Sequence, residues 1–441
     1  MNLITHSSGS LSSQLKKVWR LSVPAILTQI ATIIMQYIDS AMVGKLGANA
    51  SAAIGLVAST TWLMNGIGMA VSVGFSVQVA QYIGAEDVKS ARSVVRHGLL
   101  FGALFQLVLL TIGILISAPL PRWLGSDKAL WQDASAYFFV FACSLPLIGI
   151  GRMAASFLQC SGNMVIPSVL NALMCALDVL FNGLLIPRYG VLGAAIGTAL
   201  AELVACLLLL WFCCFRSSSL RIFKTGPFRF DFSIIRRALR IGTPVAGEEA
   251  AITGAMVVST RIMAPLGPVA IAAHSFAITA ESLCYMPAFG IGAAATTLVG
   301  QHMGAGERKQ ARQLANLTTA FGAFTMFLTG AIMYLACPLV FRMLTPVEEV
   351  RITATTILRI GLLAEPFYGI SIVASGGLRG AEDTLVPSLL NLFSIWVVRI
   401  GLSLLTVGPF GIQGVWIAMA IELFVRGVLL LVRQLRSPHL K

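Results

Sequence analysis

Eight acidic side chains lie inside long apolar stretches of this chain, where little water is available to solvate a charge. These acids are Asp39, Asp178, Glu202, Glu248, Glu249, Glu281, Glu365 and Glu422. The same stretches hold four arginines, which are Arg261, Arg359, Arg399 and Arg426. Because the acids outnumber the bases, some carboxylates must take up a proton or bind a cation. The structural alternative is pairing or hydrogen bonding, with Arg399 and Arg426 as the obvious partners of several acids.

Two pairs of polar residues have the spacing of one helical turn. Asp178 and Asn182 are four residues apart, which places both on one face of a helix. Thr198 and Glu202 repeat this spacing on the next apolar segment. Together with Asp39 they predict one pocket of oxygen atoms that suits a proton or a sodium ion. We expect no tightly bound metal there, only a transient sodium ion at Asp39 and Asp178 if sodium is the coupling ion.

The segment that positions Asp39 is residues 24–47, PAILTQIATIIMQYIDSAMVGKLG. A similar frame returns in the second half of the chain, at residues 244–267. Pro24 removes one helical hydrogen bond, so we predict a bend at that residue. The proline is repeated as Pro244, whereas the counterpart of Asp39 is Ser259. The bend is therefore duplicated and the charge is not, which places the predicted coupling site in the N-terminal half.

The composition is that of a membrane protein. The chain has 441 residues, of which 57% are hydrophobic and 11% are charged, about half the charged share of a soluble protein. Apolar runs long enough to cross a bilayer recur from Leu21 to Val432. Continuous runs of this length favour helices over the short alternating strands of a β-barrel. The net charge of +13 is interpreted as positive-inside topology and not as nucleic-acid binding, since no basic run is interleaved with aromatic residues.

We predict an all-α polytopic membrane protein with twelve transmembrane helices in two six-helix lobes. The expected spans are 20–43, 53–82, 94–118, 131–157, 165–187, 191–215, 238–263, 270–302, 314–337, 352–377, 385–407 and 411–432. The offset that relates Pro24 to Pro244 also relates Gly84-Ala85 to Gly304-Ala305. Each half has an even number of spans, so the halves form a parallel pseudo-two-fold repeat, and a cleft between the lobes is the expected substrate site.

The predicted divisions follow from this repeat. They are a polar arm at 1–17, lobes at 18–215 and 238–435, a basic linker at 216–237 and a tail at 436–441. With the N-terminus inside, the inside segments carry 21 of the 31 lysines and arginines, Arg152 among them. We therefore expect both termini to be cytoplasmic, in the cell (inner) membrane. No cleavable signal peptide is evident, and we expect a monomer with the lipid bilayer and small organic substrates as its partners.

Motifs for cofactor or enzyme chemistry are absent from the sequence. It contains no GxxxxGK[ST], HExxH or GxSxG, and its eight cysteines form no CxxC pair. We expect no cofactor and no catalytic activity. The similar loops at 83–92 and 303–312 are interpreted either as short helices at the lipid headgroups or as solvated turns.

The motifs resemble those of the multidrug and toxic compound extrusion (MATE) family. IDSAMVGKLG after Pro24 is similar to that family's acidic first helix. GAEDVKSAR, GAGERKQAR, LQCSGNMVIPSVLN and LRGAEDTLVPSLLN are similar to its loops, in the right order and over essentially the whole chain. The resemblance, with a DinF-like branch as one option, implies export of organic, often cationic, compounds in exchange for protons or sodium ions.

Some residues depart from the family pattern. The family has Asn and then Asp on span five, whereas here Asp178 precedes Asn182. In the C-terminal half, the family's acid positions on spans seven and ten fall on residues that are not acidic. Nearby acids, which are Glu248, Glu249, Glu281 and Glu365, are interpreted as a displaced second cation site, as substrate contacts or as structural pairs.

The predicted function is secondary active antiport by alternating access. Cation and substrate must favour different states or compete for the same acids. The alternative is a flippase for a lipid-linked substrate, which the excess of buried acids over bases disfavours. A passive channel suits a two-lobed repeat with buried acids less well than a coupled carrier.

Overall fold

The computed structural model describes residues 11–224 and 226–440, and every regular element in those ranges is a helix. The predicted polar arm at 1–17 lies partly outside the described residues. Its last seven residues belong to the first helix, which begins at Leu11. Thr225 of the predicted linker and Lys441 of the predicted tail also lie outside the described residues.

The helices follow one another with short connections. Those up to the middle of the chain are α1 Leu11–Gly44, α2 Ala48–Gly84, α3 Val88–Ser117, α4 Leu120–Trp123, α5 Lys128–Cys160, α6 Val165–Trp211 and α7 Phe232–Met263. The remainder are α8 Pro268–Gly304, α9 Arg308–Leu344, α10 Glu348–Leu362, α11 Glu365–Gly380, α12 Leu385–Phe393 and α13 Gly401–Arg436. π-helical turns continue α6 at Phe212–Arg216 and join α12 to α13 at Ser394–Ile400.

Two helical stretches, 165–216 and 385–436, have 52 residues each. A straight helix of that length would measure roughly 78 Å, more than twice the apolar thickness of a bilayer. Each stretch breaks at a glycine with positive φ, 59° at Gly190 and 56° at Gly411. A side chain would strain this backbone conformation, so the glycine ends one span and allows the next to begin.

Each of these stretches therefore supplies two spans. α10 and α11 meet at an angle of 53° and form one broken span. Adding α1, α2, α3, α5, α7, α8 and α9 gives twelve spans among the described residues, which confirms the predicted all-α polytopic fold. α7 is the span that hydropathy alone does not identify, because charged residues are frequent along it.

The helices form two compact units. One unit contains residues 31–249, and the other contains residues 1–30 and 250–441. The boundaries fall inside α1 and α7, whereas the predicted lobes meet at the 216–237 segment. A helix as long as α1 or α7 can pack its two ends against different neighbours, which a division at a linker does not anticipate.

The unit of residues 31–249 has a core built on aromatic rings. Phe75 and Phe157 are fully buried. Gly98 on α3 leaves room for both rings, since a Cβ there would lie 2.7 Å from Phe157 Cζ and 3.2 Å from Phe75 Cγ. In the unit that contains residues 250–441, the buried Trp416 plays a similar part, and a Cβ on Gly361 would lie 2.8 Å from its ring. Small residues thus set the close helix spacing.

The loops at 83–92 and 303–312 are tight turns and not headgroup helices, because only three residues separate the helices that flank them. In the first turn the Asp87 N–H donates to Tyr82 O, and in the second the Glu307 N–H donates to His302 O. These six-residue bonds cap the preceding helices. Asp87 then accepts a bond from the Ser90 N–H at 3.0 Å, and hydrogen bonds from Ser90 lower the pKa of Asp87.

After the sixth span of each half, a short segment packs against helices of its own unit. The two segments are RSSSL, residues 216–220, and RSPHL, residues 436–440. Each ends in a leucine that is at most 2% exposed, Leu220 or Leu440. We call these segments the RS latches.

An arginine near the start of α3 or α9 bonds the backbone of the first RS latch or of the residue just before the second. Arg92 donates to the Ser218 and Ser219 carbonyls at 2.8 and 3.1 Å, and Arg312 donates to Leu435 O at 3.2 Å. The two arginines are repeat counterparts, and so are the two leucines, since each pair has the same offset as Pro24 and Pro244. The repeat therefore extends into the predicted linker and tail.

Candidate functional site

Asp39, Asp178 and Asn182 come together in the unit of residues 31–249. The Asn182 amide Nδ2 donates to Asp39 Oδ1 at 2.9 Å and to Asp178 Oδ2 at 3.1 Å. Asp178 and Asn182 are fully buried, whereas Asp39 is half-buried. One amide thus bridges two carboxyl groups from α1 and α6.

Thr198 joins this cluster from the second half of α6. Thr198 and Asp39 both lie close enough to the Asp178 carboxyl to influence its charge. The helix returns after the break at Gly190, and Gly197 lets it approach closely, since a Cβ there would lie 3.0 Å from the Asn182 backbone nitrogen. The glycine break therefore folds the two halves of α6 into a single site.

The cluster contains buried oxygen atoms that could accept further hydrogen bonds. Within the described part of the chain, Asp178 Oδ1 and Asn182 Oδ1 are buried and have no hydrogen-bond partner. Buried acceptors of this kind are normally satisfied, and carboxylate and amide oxygens are groups that can accept a proton or ligate a hard cation. Groups of three or more His, Cys, Asp or Glu side chains that could hold a metal ion do not occur among the described residues.

Glu202 belongs to a neighbouring charge system. It is half-buried on α6, and it is near enough to Asp178 to repel it and near enough to Arg152 to attract it. Arg152 itself lies within α5, eight residues before the end of that helix at Cys160. Glu202 therefore has an internal cation beside it, unlike Asp39 and Asp178.

Tyr137 on α5 is a neighbour of the site that the sequence did not indicate. Its hydroxyl lies near enough to Asp39 and Asp178 to be affected by both charges. Its side chain packs against a buried cluster that contains Val43, Ile186 and Val191. No motif or spacing in the sequence links a tyrosine on span four to these acids. The tertiary fold alone brings it there.

The four acids predicted for the C-terminal half do not form one cluster. Glu248 and Glu249 belong to the unit of residues 31–249, where Glu249 lies beside Gly66 of α2. Glu281 and Glu365 belong to the other unit, and both are buried. Within that unit the two carboxylates repel each other, and neither oxygen of Glu365 has a hydrogen-bond partner among the described residues.

Glu422, in contrast, is fully paired. Arg399 Nη2 lies 2.7 Å from its Oε2, and Arg426 Nη2 lies 2.6 Å from its Oε1. His274 accepts a hydrogen bond from Trp416 Nε1 at 3.2 Å. The structural alternative, pairing with Arg399 and Arg426, therefore suffices for Glu422.

Pro24 lies inside α1 without ending it, since the helix runs from Leu11 to Gly44. The Pro24 carbonyl accepts a bond from the Thr28 hydroxyl at 3.0 Å. The helix continues through Pro24 in this conformation. The predicted bend therefore stays a prediction about another conformation of the protein.

A known protein family and its curated members are similar to this chain over most of its length. The model of the MatE family matches residues 24–184 and 244–405. The chain is similar to a probable multidrug resistance protein NorM of Thermotoga maritima, with 27% identity over 94% of this chain and 90% of that protein. A protein of the same name from Pseudomonas aeruginosa is 30% identical over 92% and 86% of the two chains.

Solved structures share the fold. A MOP superfamily transporter from Pyrococcus furiosus, described as having a binding pocket of reverse polarity, superposes with a TM-score of 0.91 at 20% identity. That match covers 96% of this chain and 95% of the other. An outward-facing multidrug resistance MATE transporter of the same superfamily gives a TM-score of 0.91 at 21% identity, over 97% of both chains.

Proposed function

The chain belongs to the MatE family of membrane transporters, and from this premise we propose that it exports small organic cations in exchange for protons or sodium ions. The observation that carries the proposal is the Asn182 amide held between Asp39 and Asp178, with two buried oxygens left without partners among the described residues. The names of the relatives, which are multidrug resistance proteins, support small organic substrates.

The coupling step follows from the charges. Two ionised carboxylates that share one amide donor repel strongly in a low-dielectric interior. A shared proton converts this repulsion into a hydrogen bond, and a sodium ion would use the two free oxygens as ligands. Either cation would pull Asp39 on α1 and Asp178 on α6 together, so binding favours the conformation in which the two helices are closest.

The cycle is alternating access. The cation stabilises one conformation through the Asp39 site, and the substrate stabilises another through acids elsewhere. Glu281 and Glu365 are proposed as a second acidic site, because Glu365 is buried without a hydrogen-bond partner among the described residues. Exchange requires that the cation and the substrate favour different states or compete for the same acids.

The test is dye efflux from vesicles under separately imposed proton and sodium gradients. Asp39→Asn keeps the size of the side chain and removes its charge, so we expect gradient-driven efflux to fall at least tenfold. Asp133→Asn, an exposed acid on α5, is the matched control and should transport like the wild type. Full gradient-dependent efflux by Asp39→Asn would falsify the assignment.

We also propose that the protein is a monomer in the cell membrane with both termini in the cytoplasm. The lysines and arginines of the tight turns, the linker and the end of α13 support this orientation.

A further inference from the structure

A groove of about 580 Å³ opens in the unit of residues 31–249, where α3 ends and α5 begins. One face of α5 forms its long wall. Ser117 at the end of α3 and Leu192, which follows the break at Gly190 in α6, form other sides. The connection from α3 to α5 is proposed to face outward, so the groove lies at the level of the outer lipid headgroups.

The surface around the groove is apolar. Leu115 near the end of α3 is 71% exposed, Trp123 on α4 is 68% exposed, and Phe139 on α5 is 45% exposed. In a membrane-spanning protein such side chains face lipid, and tryptophan is enriched at the level of the headgroups. Lipid is therefore the molecule that surrounds this groove.

The lining residues of α5 become less polar with depth. They form three pairs, and each pair follows the previous one by four residues, about one helical turn. From the mouth inward, the pairs are Trp131 and Gln132, Ser135 and Ala136, and Phe139 and Val140. Polarity thus falls along one helical face over about 12 Å. A groove of this kind fits a molecule with a polar head and an apolar chain.

The charge at the mouth is positive. The Arg122 guanidinium carbon lies 4.7 Å from the centroid of the Trp131 ring. Lys128, the first residue of α5, is exposed and precedes the first lining pair by about one turn on the same face. The nearest acids in the sequence, Asp127 and Asp133, do not line the groove. The head that fits this mouth is therefore an anion.

Hydrogen bonds hold the aromatic ring that supports Arg122. The Trp131 Nε1–H donates to Ser126 O at 3.0 Å, and the Ser126 hydroxyl donates to Pro121 O at 2.8 Å. The guanidinium lies over the face of this fixed ring. An arginine stacked on an aromatic face keeps its N–H edge free to donate two bonds to a phosphate.

We propose that the groove binds one anionic phospholipid of the outer leaflet. Its phosphate lies at Arg122 and Lys128, and one acyl chain lies along Phe139 and Leu192. An exported organic cation does not fit, because the two bases at the mouth repel it. The choice of leaflet rests on the proposed orientation, whereas the binding itself does not depend on the proposed antiport.

The second half of the chain provides a matched control. Arg342 is the repeat counterpart of Arg122 and is also exposed. The counterpart of Lys128, however, is an acid, Glu348. An acid at that position opposes an anionic head, so Arg342 is not expected to hold a phospholipid in the same way.

The experiment is native mass spectrometry of the purified full-length protein with added dioleoylphosphatidylglycerol or dioleoylphosphatidylcholine. Arg122→Gln should raise the dissociation constant of the first phosphatidylglycerol about fivefold, because one basic contact to the head is lost. Phosphatidylcholine, whose head has no net charge, should change by less than about twofold. Arg342→Gln should bind both lipids like the wild type. Unchanged phosphatidylglycerol affinity in Arg122→Gln, or an equal loss in Arg342→Gln, overturns the proposal.

A second arm tests the chain and remains available if Arg122→Gln does not fold. Ala136→Phe fills the middle of the groove and leaves both bases in place, so we expect about fivefold weaker phosphatidylglycerol binding. Glycerol phosphate has the charge without the chains and should not displace the lipid. Unchanged binding in Ala136→Phe, or displacement by glycerol phosphate, would show an anion site without a lipid groove and overturn the proposal.

Discussion

At the scale of single residues, the internal repeat reveals two strained positions. Glu86 and Glu382 are the two described residues other than glycine with positive φ, 57° and 61°. Their repeat counterparts are Gly306 and Gly162, in that order. The same turn thus uses glycine in one half and glutamate in the other. A side chain in this region costs about 1–2 kcal/mol, so each glutamate stores strain that its repeat mate avoids.

Glu86→Gly is expected to stabilise the protein by up to about 1 kcal/mol, because the relief of strain exceeds the greater freedom of glycine in the unfolded chain. Thermal unfolding in detergent measures the effect. Glu307→Gly, at the neighbouring turn position, is the control and should destabilise slightly. A lower melting temperature for Glu86→Gly would contradict the strain argument.

At the scale of elements, the RS latches attach the chain that follows the sixth span of each half to neighbouring residues. Both latches lie at ends that are predicted to be cytoplasmic. Leu440 is 2% exposed among Val299, Ala311 and Leu378, residues of α8, α9 and α11. Arg433 and Ser437 both bond Asp383 Oδ2, at 2.8 and 2.9 Å. A segment that the sequence suggested to be a tail is therefore a structural part of its unit.

Leu440→Ala should destabilise the protein by about 2–3 kcal/mol, because it leaves a cavity among buried side chains. Val432→Ala, at a residue of α13 that is 42% exposed, is the control and should change stability by less than about 0.5 kcal/mol. Thermal unfolding in detergent compares the two variants. Equal melting temperatures would show that the RS latch contributes nothing to folding.

At the scale of the whole molecule, the repeated scaffold carries unequal chemistry. Pro24, the glycine breaks and the RS latches recur in both halves, whereas the Asp39 cluster does not. The opposite unit has Glu281, Glu365 and the paired Glu422 in its interior. Under the proposed function, the unit of residues 31–249 would couple the cation, and the other unit has a different set of acids.

The orientation of the whole molecule is open to a direct test. Cys143 is exposed, and the other seven native cysteines are buried. Cys143→Ser therefore removes the native cysteine that would react with the label. In that background, Asp127→Cys should react with a membrane-impermeant maleimide in intact cells, and Lys309→Cys should react only after lysis. Both positions are exposed. Labelling in the opposite order would invert the proposed topology.

The sequence by itself determined the membrane class, the twelve spans and the repeat. These depend on apolar length and on spacing along the chain, which are local properties. It also selected Asp178 with Asn182 and Thr198 with Glu202, because an i, i+4 spacing puts polar groups on one helical face. Asp39 was selected as an acid within an apolar stretch.

The tertiary structure alone decided which groups meet. It placed the Asn182 amide between two carboxyls, packed Tyr137 against the cluster that contains Val43, and set Glu249 beside Gly66 of α2. The sequence could not separate Glu202 from the Asp39 pocket, because which side chains share a site depends on how helices distant in the chain pack. Contacts of that kind leave no periodic signal along the chain.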